Sequence, residues 1–269
     1  MCLVALAFRY HPDYPLVVVA NRDEFYDRPA EGARFWDDHP HVLAGRDMEA
    51  GGTWFGVNRH GDWATVTNYR GGGMGGDMRS RGDLPTDFLS HQTNDLSQNR
   101  PSPEHYANGI VDQAHHFRGF SLLAGNLNEL VYCSNANPGS KGALQTLKPG
   151  IYTLSNDVLD TPWPKAEYAR DMLTATLDQA GELDIETLLA ILGSREVFPD
   201  DQLPHSEFGL EMERTLSPPF IVSDSYGTRC TTLLMIDTEG RVTFTEQSYY
   251  RGQATKRQDY AFEVLNTQS

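Results

Sequence analysis

Cys2-Leu3-Val4-Ala5-Leu6-Ala7-Phe8 and, after a short break, Leu16-Val17-Val18-Val19-Ala20 running straight into Asn21-Arg22-Asp23-Glu24 are the stretches on which the reading of this chain turns. Residues 2–9 read as a strand. His11-Pro12-Asp13-Tyr14-Pro15 reads as a turn, because its two prolines block regular structure. Residues 16–20 return as a second strand, so the pair is expected to form a hairpin. Both runs are continuously apolar rather than alternating, which predicts a sheet buried on both faces. Cys2 then stands at one end of a buried sheet. A Cys in second position is small enough for Met1 to be trimmed, and trimming leaves a thiol and a free α-amine on one residue. Those groups are a nucleophile and a base, since an α-amine has a pKa near ~8. Cys2 is equally readable as a small buried hydrophobe at a strand start, so the rest of the chain has to decide.

The chain has 269 residues with 22 Lys and Arg against 37 Asp and Glu, a net charge of -15. So acidic a surface argues against nonspecific binding to nucleic acid or to anionic membranes. No run approaches the ~18 apolar residues of a membrane span, and nothing before Arg9 resembles a signal peptide. Three cysteines, Cys2, Cys133 and Cys230, are too few and too scattered for a disulfide framework or a zinc site. A reducing, cytoplasmic setting is expected.

Further along, residues 53–58 and 63–68 read as a second hairpin across Arg59-His60-Gly61-Asp62. Gly71-Gly72-Gly73-Met74-Gly75-Gly76 reads as a loop; it lacks the Gly-Lys-Ser/Thr ending of a phosphate loop. Helical spacing is seen at 84–91, 104–116, 163–180 and 184–192, strands at 120–124, 129–133 and 151–155, and a polar irregular stretch at 198–219. Strands close the chain at 220–223, 231–236 and 242–250, with Glu239-Gly240 as the last turn. Runs of strands separated by runs of helices predict an α+β fold of packed sheets with helices outside, in one domain over 1–269, rather than a doubly wound fold.

Four polar clusters stand at the ends of apolar strands: Asn21-Arg22-Asp23-Glu24, Asn68-Tyr69-Arg70, Ser155-Asn156-Asp157 and Gly227-Thr228-Arg229. Any one of them alone is readable as a turn former. Together with a terminal thiol they supply what cleavage of an amide needs. Asn side chains donate N–H groups to an oxyanion, and a guanidinium or a carboxylate tunes the protonation of thiol and amine. The candidate catalytic residues are therefore Cys2, Asn21, Arg22, Asp23, Glu24, Asn68, Asn156 and Arg229. This chemistry calls for no metal and no cofactor.

The motif Asn21-Arg22-Asp23-Glu24 resembles the signature of the NRDE family, also called the transport and Golgi organisation protein 2 family. Further words carry the same resemblance: Cys2-Leu3, His11-Pro12, Phe25-Tyr26-Asp27-Arg28-Pro29, Leu43-Ala44-Gly45-Arg46-Asp47, Gly51-Gly52-Thr53-Trp54, Ser80-Arg81-Gly82 and Tyr226-Gly227-Thr228-Arg229. That family is in turn similar to cysteine N-terminal nucleophile hydrolases such as choloylglycine hydrolases and penicillin V acylases. The resemblance implies a four-layer αββα sandwich of two mainly antiparallel sheets, with the nucleophile opening a central strand. It places Cys2 on the nucleophile, Asn68 on an oxyanion-hole Asn, Asn156 on a second substrate-side Asn and Arg229 on an Arg near the thiol. Those enzymes carry an Arg followed three residues later by an Asp. Ungapped alignment puts Asn21 and Glu24 on them, whereas a one-residue shift puts Arg22 near the Arg site.

Two readings follow. One is a cysteine amidohydrolase or acyltransferase acting on a linear amide through a Cys2 thioester, a hydrolase of non-peptide C–N bonds with a small-molecule acyl or amide substrate. The other is a non-catalytic binding or trafficking protein; the resemblance implies haem, lipid or acyl-coenzyme A handling, and Golgi organisation and secretion in eukaryotic relatives. His11, His39, His41 and His60 read as loop or surface residues. The acidic surface argues against a highly anionic substrate, although a local pocket of Arg22, Arg28, Arg46 and Arg70 would reverse that. The oligomeric state is left open.

Overall fold

Alternation along residues 2–8 sets the layering. Side chains on a strand point to opposite faces in turn. In the computed structural model, Val4, Leu6 and Phe8 enter one apolar core while Leu3, Ala5 and Ala7 enter another. The structure describes residues 2–70, 78–91, 101–136, 143–179, 181–206 and 208–265. The glycine run at 71–76 lies outside them.

The strands in chain order are β1 (Cys2–Phe8), β2 (Leu16–Phe25), β3 (Ala30–Phe35), β4 (Val42–Asp47), β5 (Phe55–Asn58), β6 (Trp63–Asn68), β7 (Phe120–Gly125), β8 (Leu130–Ser134), β9 (Ala143–Thr146), β10 (Gly150–Leu154), β11 (Tyr226–Ile236), β12 (Arg241–Tyr250) and β13 (Gln253–Glu263). The α-helices are α1 (Asp83–Ser90), α2 (Pro103–Gln113), α3 (Pro164–Leu177), α4 (Ile185–Ala190) and α5 (Leu210–Leu216). A six-stranded sheet runs β10-β1-β2-β11-β12-β13 and a seven-stranded sheet β3-β4-β5-β6-β7-β8-β9, both antiparallel throughout.

Three apolar cores glue four layers. Between the sheets, Val4, Leu6, Val18 and Phe244 meet Leu43, Phe55, Val57, Trp63 and Leu123. Outside the seven-stranded sheet, Ala64, Val66, Leu122 and Val131 pack on Leu84 and Phe88 of α1 and on Tyr106 and Ile110 of α2. Outside the six-stranded sheet, Leu3, Ala5, Val17, Val19 and Leu233 pack on Ala166, Ala169 and Leu173 of α3 and Leu188 of α4. Helices, sheet, sheet, helices is the αββα order expected. Burial of β1 and β2 on both faces explains why neither run alternates in sequence.

Several boundaries differ from those expected. The second strand runs to Phe25, so Asn21-Arg22-Asp23-Glu24 lies inside it. Likewise Gly227-Thr228-Arg229 lies inside β11, which begins at Tyr226. Glu24 and Asp23 pair with Gly227 and Thr228, Arg22 and Asn21 with Cys230 and Thr231, and Arg229 is bulged between them, so the ladder continues through the polar residues, which polarity alone does not reveal. The stretch read as irregular contains α5. Residues 220–223 form only an isolated bridge, Val222 with Gly227. His11 and His41 lie in loops as expected, but both are buried there: His11 Nδ1 accepts from the Asp13 N–H, and His41 Nε2 lies 3.2 Å from the Leu89 carbonyl oxygen. No described helix is long and apolar enough to cross a membrane.

Candidate active site

The register of β1 on β2 pairs Cys2 with Arg22 and Leu3 with Asn21. Directly opposed residues share a face, so Arg22 sits beside Cys2 while Asn21 turns to the helix layer with Leu3. Of the two residues left open by the sequence, Arg22 is the one on the Cys2 face. Asn21 is a buried connector: its Nδ2 donates to the Leu192 and Pro219 carbonyls at 2.9 Å each, and its Oδ1 accepts from Thr231 Oγ1 at 2.6 Å. It does not line the cavity around Cys2.

Arg22 is 5% exposed and spans the two sheets. It donates to Asp47 Oδ2 on β4 at 3.0 Å, and its guanidinium lies 4.3 Å from the Trp54 ring centroid. Trp54 fits there because Gly45 has no side chain; a Cβ on Gly45 would come within 2.4 Å of two of its ring atoms. Asp47 also receives Arg28 in a fork, at 2.7 and 3.1 Å. Burial pushes the Asp47 carboxyl up, but Arg28, the Ala50 N–H and the Arg22 charge outweigh it and hold the carboxyl below its ordinary value.

Asp23, next along β2, faces the helix layer. Its Oδ1 accepts from Thr228 Oγ1 at 2.7 Å. The nearby cation is Lys165 in the first turn of α3, 3% exposed, whose Nζ donates to the Leu216 carbonyl at 2.9 Å. Burial drives the Lys165 pKa down to about 8; Asp23 opposes the fall and Arg70 adds to it. A lysine at a helix N-terminus also meets the positive end of the helix dipole. Burial raises the Asp23 carboxyl in turn, against Lys165 and the Thr228 hydrogen bond.

Cys2, Arg22, Asp23, Glu24 and Asn68 line one cavity of about 430 Å³, with Asp47, Thr53, Trp54 and Arg81 among its other walls. Cys2 is half-buried. Burial pushes its thiol up, and the Asp23 charge adds to this, while Arg22 and the Asp23 N–H offset only part. A thiol raised in this way is a poor nucleophile until a base takes its proton. Glu24 shares the strand face of Arg22 and accepts the Phe25 N–H at 2.9 Å. Asn68 closes β6, on the alternation of Ala64 and Val66, and reaches the cavity from the end of its sheet.

Asn156 and Arg229 do not line this cavity. Asn156, fully buried, donates from Nδ2 to the Asn68 carbonyl at 2.9 Å and accepts the Arg70 N–H at its own carbonyl, tying the end of β10 to the end of β6. Arg229 occupies the bulge of β11 between Thr228 and Cys230 and donates to the Phe25 and Arg28 carbonyls at 2.6 and 3.1 Å. Both brace the cavity from behind. Of the basic pocket expected from Arg22, Arg28, Arg46 and Arg70, only the first two reach the cavity. Arg46 pairs with Asp38 and Arg70 with Glu213 elsewhere. Sequence reasoning passed over Arg81 and Arg118, which do line it. Arg81 follows Ser80 and precedes Gly82 in a conspicuous word; Arg118 carries no local signal.

Residues 1–251 match the family model described as Transport and Golgi organisation 2. The Transport and Golgi organization protein 2 homolog of Homo sapiens is 34% identical, with 92% of this chain and 93% of that one aligned. The homolog of Bos taurus is 33% identical over 95% and 96%. The Drosophila melanogaster protein of that name is 23% identical over 92% of each. Among solved structures, the chain bears a likeness to a Caenorhabditis elegans N-acylethanolamine-hydrolyzing acid amidase ortholog, at TM-score 0.47 and 13% identity over 87% of this chain and 92% of that one. A second is a mutant conjugated bile acid hydrolase from Clostridium perfringens, at TM-score 0.45 and 9% identity over 99% and 94%. On the family match and the relatives above 30% identity, this chain belongs to the Transport and Golgi organisation 2 family.

Proposed function

We propose that this protein is a cysteine amidohydrolase or acyltransferase that works on a linear amide through a thioester at Cys2. The observation that carries the reading is the half-buried Cys2 sulfur in a polar cavity, beside Arg22 and on the same wall system as Asn68. The raised thiol makes a base necessary. With Met1 removed, the α-amine of Cys2 is that base: its ordinary pKa near ~8 leaves part of it neutral at pH 7. Sulfur attacks the carbonyl carbon, and the thiol proton passes to the amine directly or through a water. The tetrahedral oxyanion takes N–H donors from the cavity wall, with Asn68 the candidate donor. The C–N bond breaks as the stored proton moves to the leaving nitrogen. Water, or a second amine, then attacks the thioester carbonyl and releases the acid, or a new amide, and the free thiol.

Arg22 serves here as a fixed positive charge, locked by Asp47 and Trp54, that favours the thiolate. Asp23 and Lys165 act from behind the strand as positioning residues. A second reading, a binding protein on the same scaffold, is supported by relatives named for transport and Golgi organisation. The two part on one comparison. Cys2→Ala is expected to lower turnover of an acyl amide by at least about a thousandfold with an unchanged melting curve. Ligand affinity surviving in Cys2→Ala, with no product formed by the unaltered protein under any acyl amide tried, would favour the binding reading.

A further inference from the structure

The arginines around the cavity differ in how they are satisfied. Arg22 and Arg28 are neutralised by Asp47, and Arg28 also meets Glu49. Arg79 pairs with Asp83 and Asp87 and lies 4.9 Å from the Phe117 ring centroid. Arg81 and Arg118 have no ion pair with a carboxylate among the described residues. Arg81 is half-buried and, among the described residues, donates from Nη1 to the Gly119 carbonyl at 3.3 Å. Arg118 is exposed at the cavity wall. Burial pulls the Arg81 pKa down, and the Arg118 charge is the next largest cause of the fall; Cys2 and Glu24 act the other way. Arg81 bonds the carbonyl of the residue that follows Arg118, so two guanidiniums share one cavity wall, one of them partly desolvated, an arrangement that an oxyanion relieves. Of the described carboxylates on these walls, Asp47 and Glu49 are ion-paired and Asp23 is held by the Thr228 hydroxyl, and Glu24 offsets one guanidinium of the two.

We infer that Arg81 and Arg118 form an oxyanion subsite in the Cys2 cavity, so that the compound brought to Cys2 carries a carboxylate or a phosphate. This deepens the reading of Cys2 as a nucleophile and rests on it for the reaction, though not for the recognition. The net charge of -15 repels anions at long range. A paired guanidinium subsite is therefore the local device by which this acidic protein admits one.

The test uses two alkylating reagents of similar size, anionic iodoacetate and neutral iodoacetamide, and reads the rate at Cys2 by peptide mass. Dividing one rate by the other cancels any change in thiol ionisation. Relative to free cysteine, the iodoacetate-to-iodoacetamide ratio is expected to be raised about tenfold at low salt and to fall with ionic strength. Arg118→Gln, at an exposed position, is expected to remove most of the preference, and Arg81→Gln with Arg118→Gln all of it. Inorganic phosphate and acetate, added separately, tell which oxyanion competes. A ratio equal to that of free cysteine, or a raised ratio untouched by both substitutions, overturns the subsite. Because no turnover is read, a protein that fails to hydrolyse amides but keeps the ratio leaves the subsite standing and removes only the hydrolase reading.

Discussion

At the scale of the residue, one step of strand register separates a site residue from a structural one. Asn21 and Arg22 are adjacent and both polar, yet only Arg22 shares a face with Cys2. Asn21 spends its amide on Leu192, Pro219 and Thr231. Its loss is therefore a stability event. Asn21→Ala strands two buried carbonyls and a hydroxyl, at a cost of about 1–3 kcal/mol. That cost appears as an earlier midpoint in urea at an unchanged slope, and an unchanged midpoint would remove Asn21 from its bracing role. The raised Cys2 thiol has its own signature. The reactive form appears only as pH climbs through a value above that of an ordinary thiol. Alkylation of Cys2 in protein retaining Met1 is accordingly expected to keep accelerating above pH 9, where free cysteine is levelling off; a profile matching free cysteine would contradict the burial argument.

Among the elements, α3 carries the unusual feature, a buried lysine in its first turn. The folded pKa of Lys165 is about 8, against an ordinary value of 10.5 in the unfolded chain. Between those values the unfolded state binds more protons, so stability rises with pH across that window and is flat, for this group, below it. The difference in unfolding free energy between the wild type and Lys165→Met should change by about 3 kcal/mol from pH 7.5 to 10.5. Taking the difference removes the tyrosines that titrate in both proteins. A difference independent of pH would show that Lys165 is not desolvated. The elements also show what the sequence could carry. β1 and β2 were legible because apolar runs buried on both faces leave a plain trace. β3, β4, β9 and β13 are not read as strands; β3, β9 and β13 are sheet edges, while β4 lies inside its sheet and ends in the polar Gly45-Arg46-Asp47. An edge strand is held by its neighbour on one side and exposes polar side chains on the other; Gln253–Glu263 alternates mostly charged and polar residues in this way. Sequence puts the polar clusters at strand ends because Asn21-Arg22-Asp23-Glu24 breaks hydrophobicity. Pairing with Tyr226 to Thr231 nevertheless continues the strand through it.

For the whole molecule, the αββα order follows from three apolar faces that have to be covered, and it brings the ends of β1, β2 and β6 to one cavity. The family words in the first third pointed to that end of the sandwich, and their partners explain them: Gly45 makes room for Trp54, and Asp47 for Arg22 and Arg28. Arg118 could not be read in advance, since only tertiary packing carries it to Arg81. What the architecture offers chemically converges on the sulfur of Cys2. The direct test is intact-mass and peptide mapping of protein incubated with a panel of activated acyl amides and quenched in acid. The expected result is an acyl mass on Cys2 of chains that lack Met1, absent from Cys2→Ala and discharged by hydroxylamine as a thioester. Acyl mass found on other residues alone, or equal labelling of chains that retain Met1, would contradict the account.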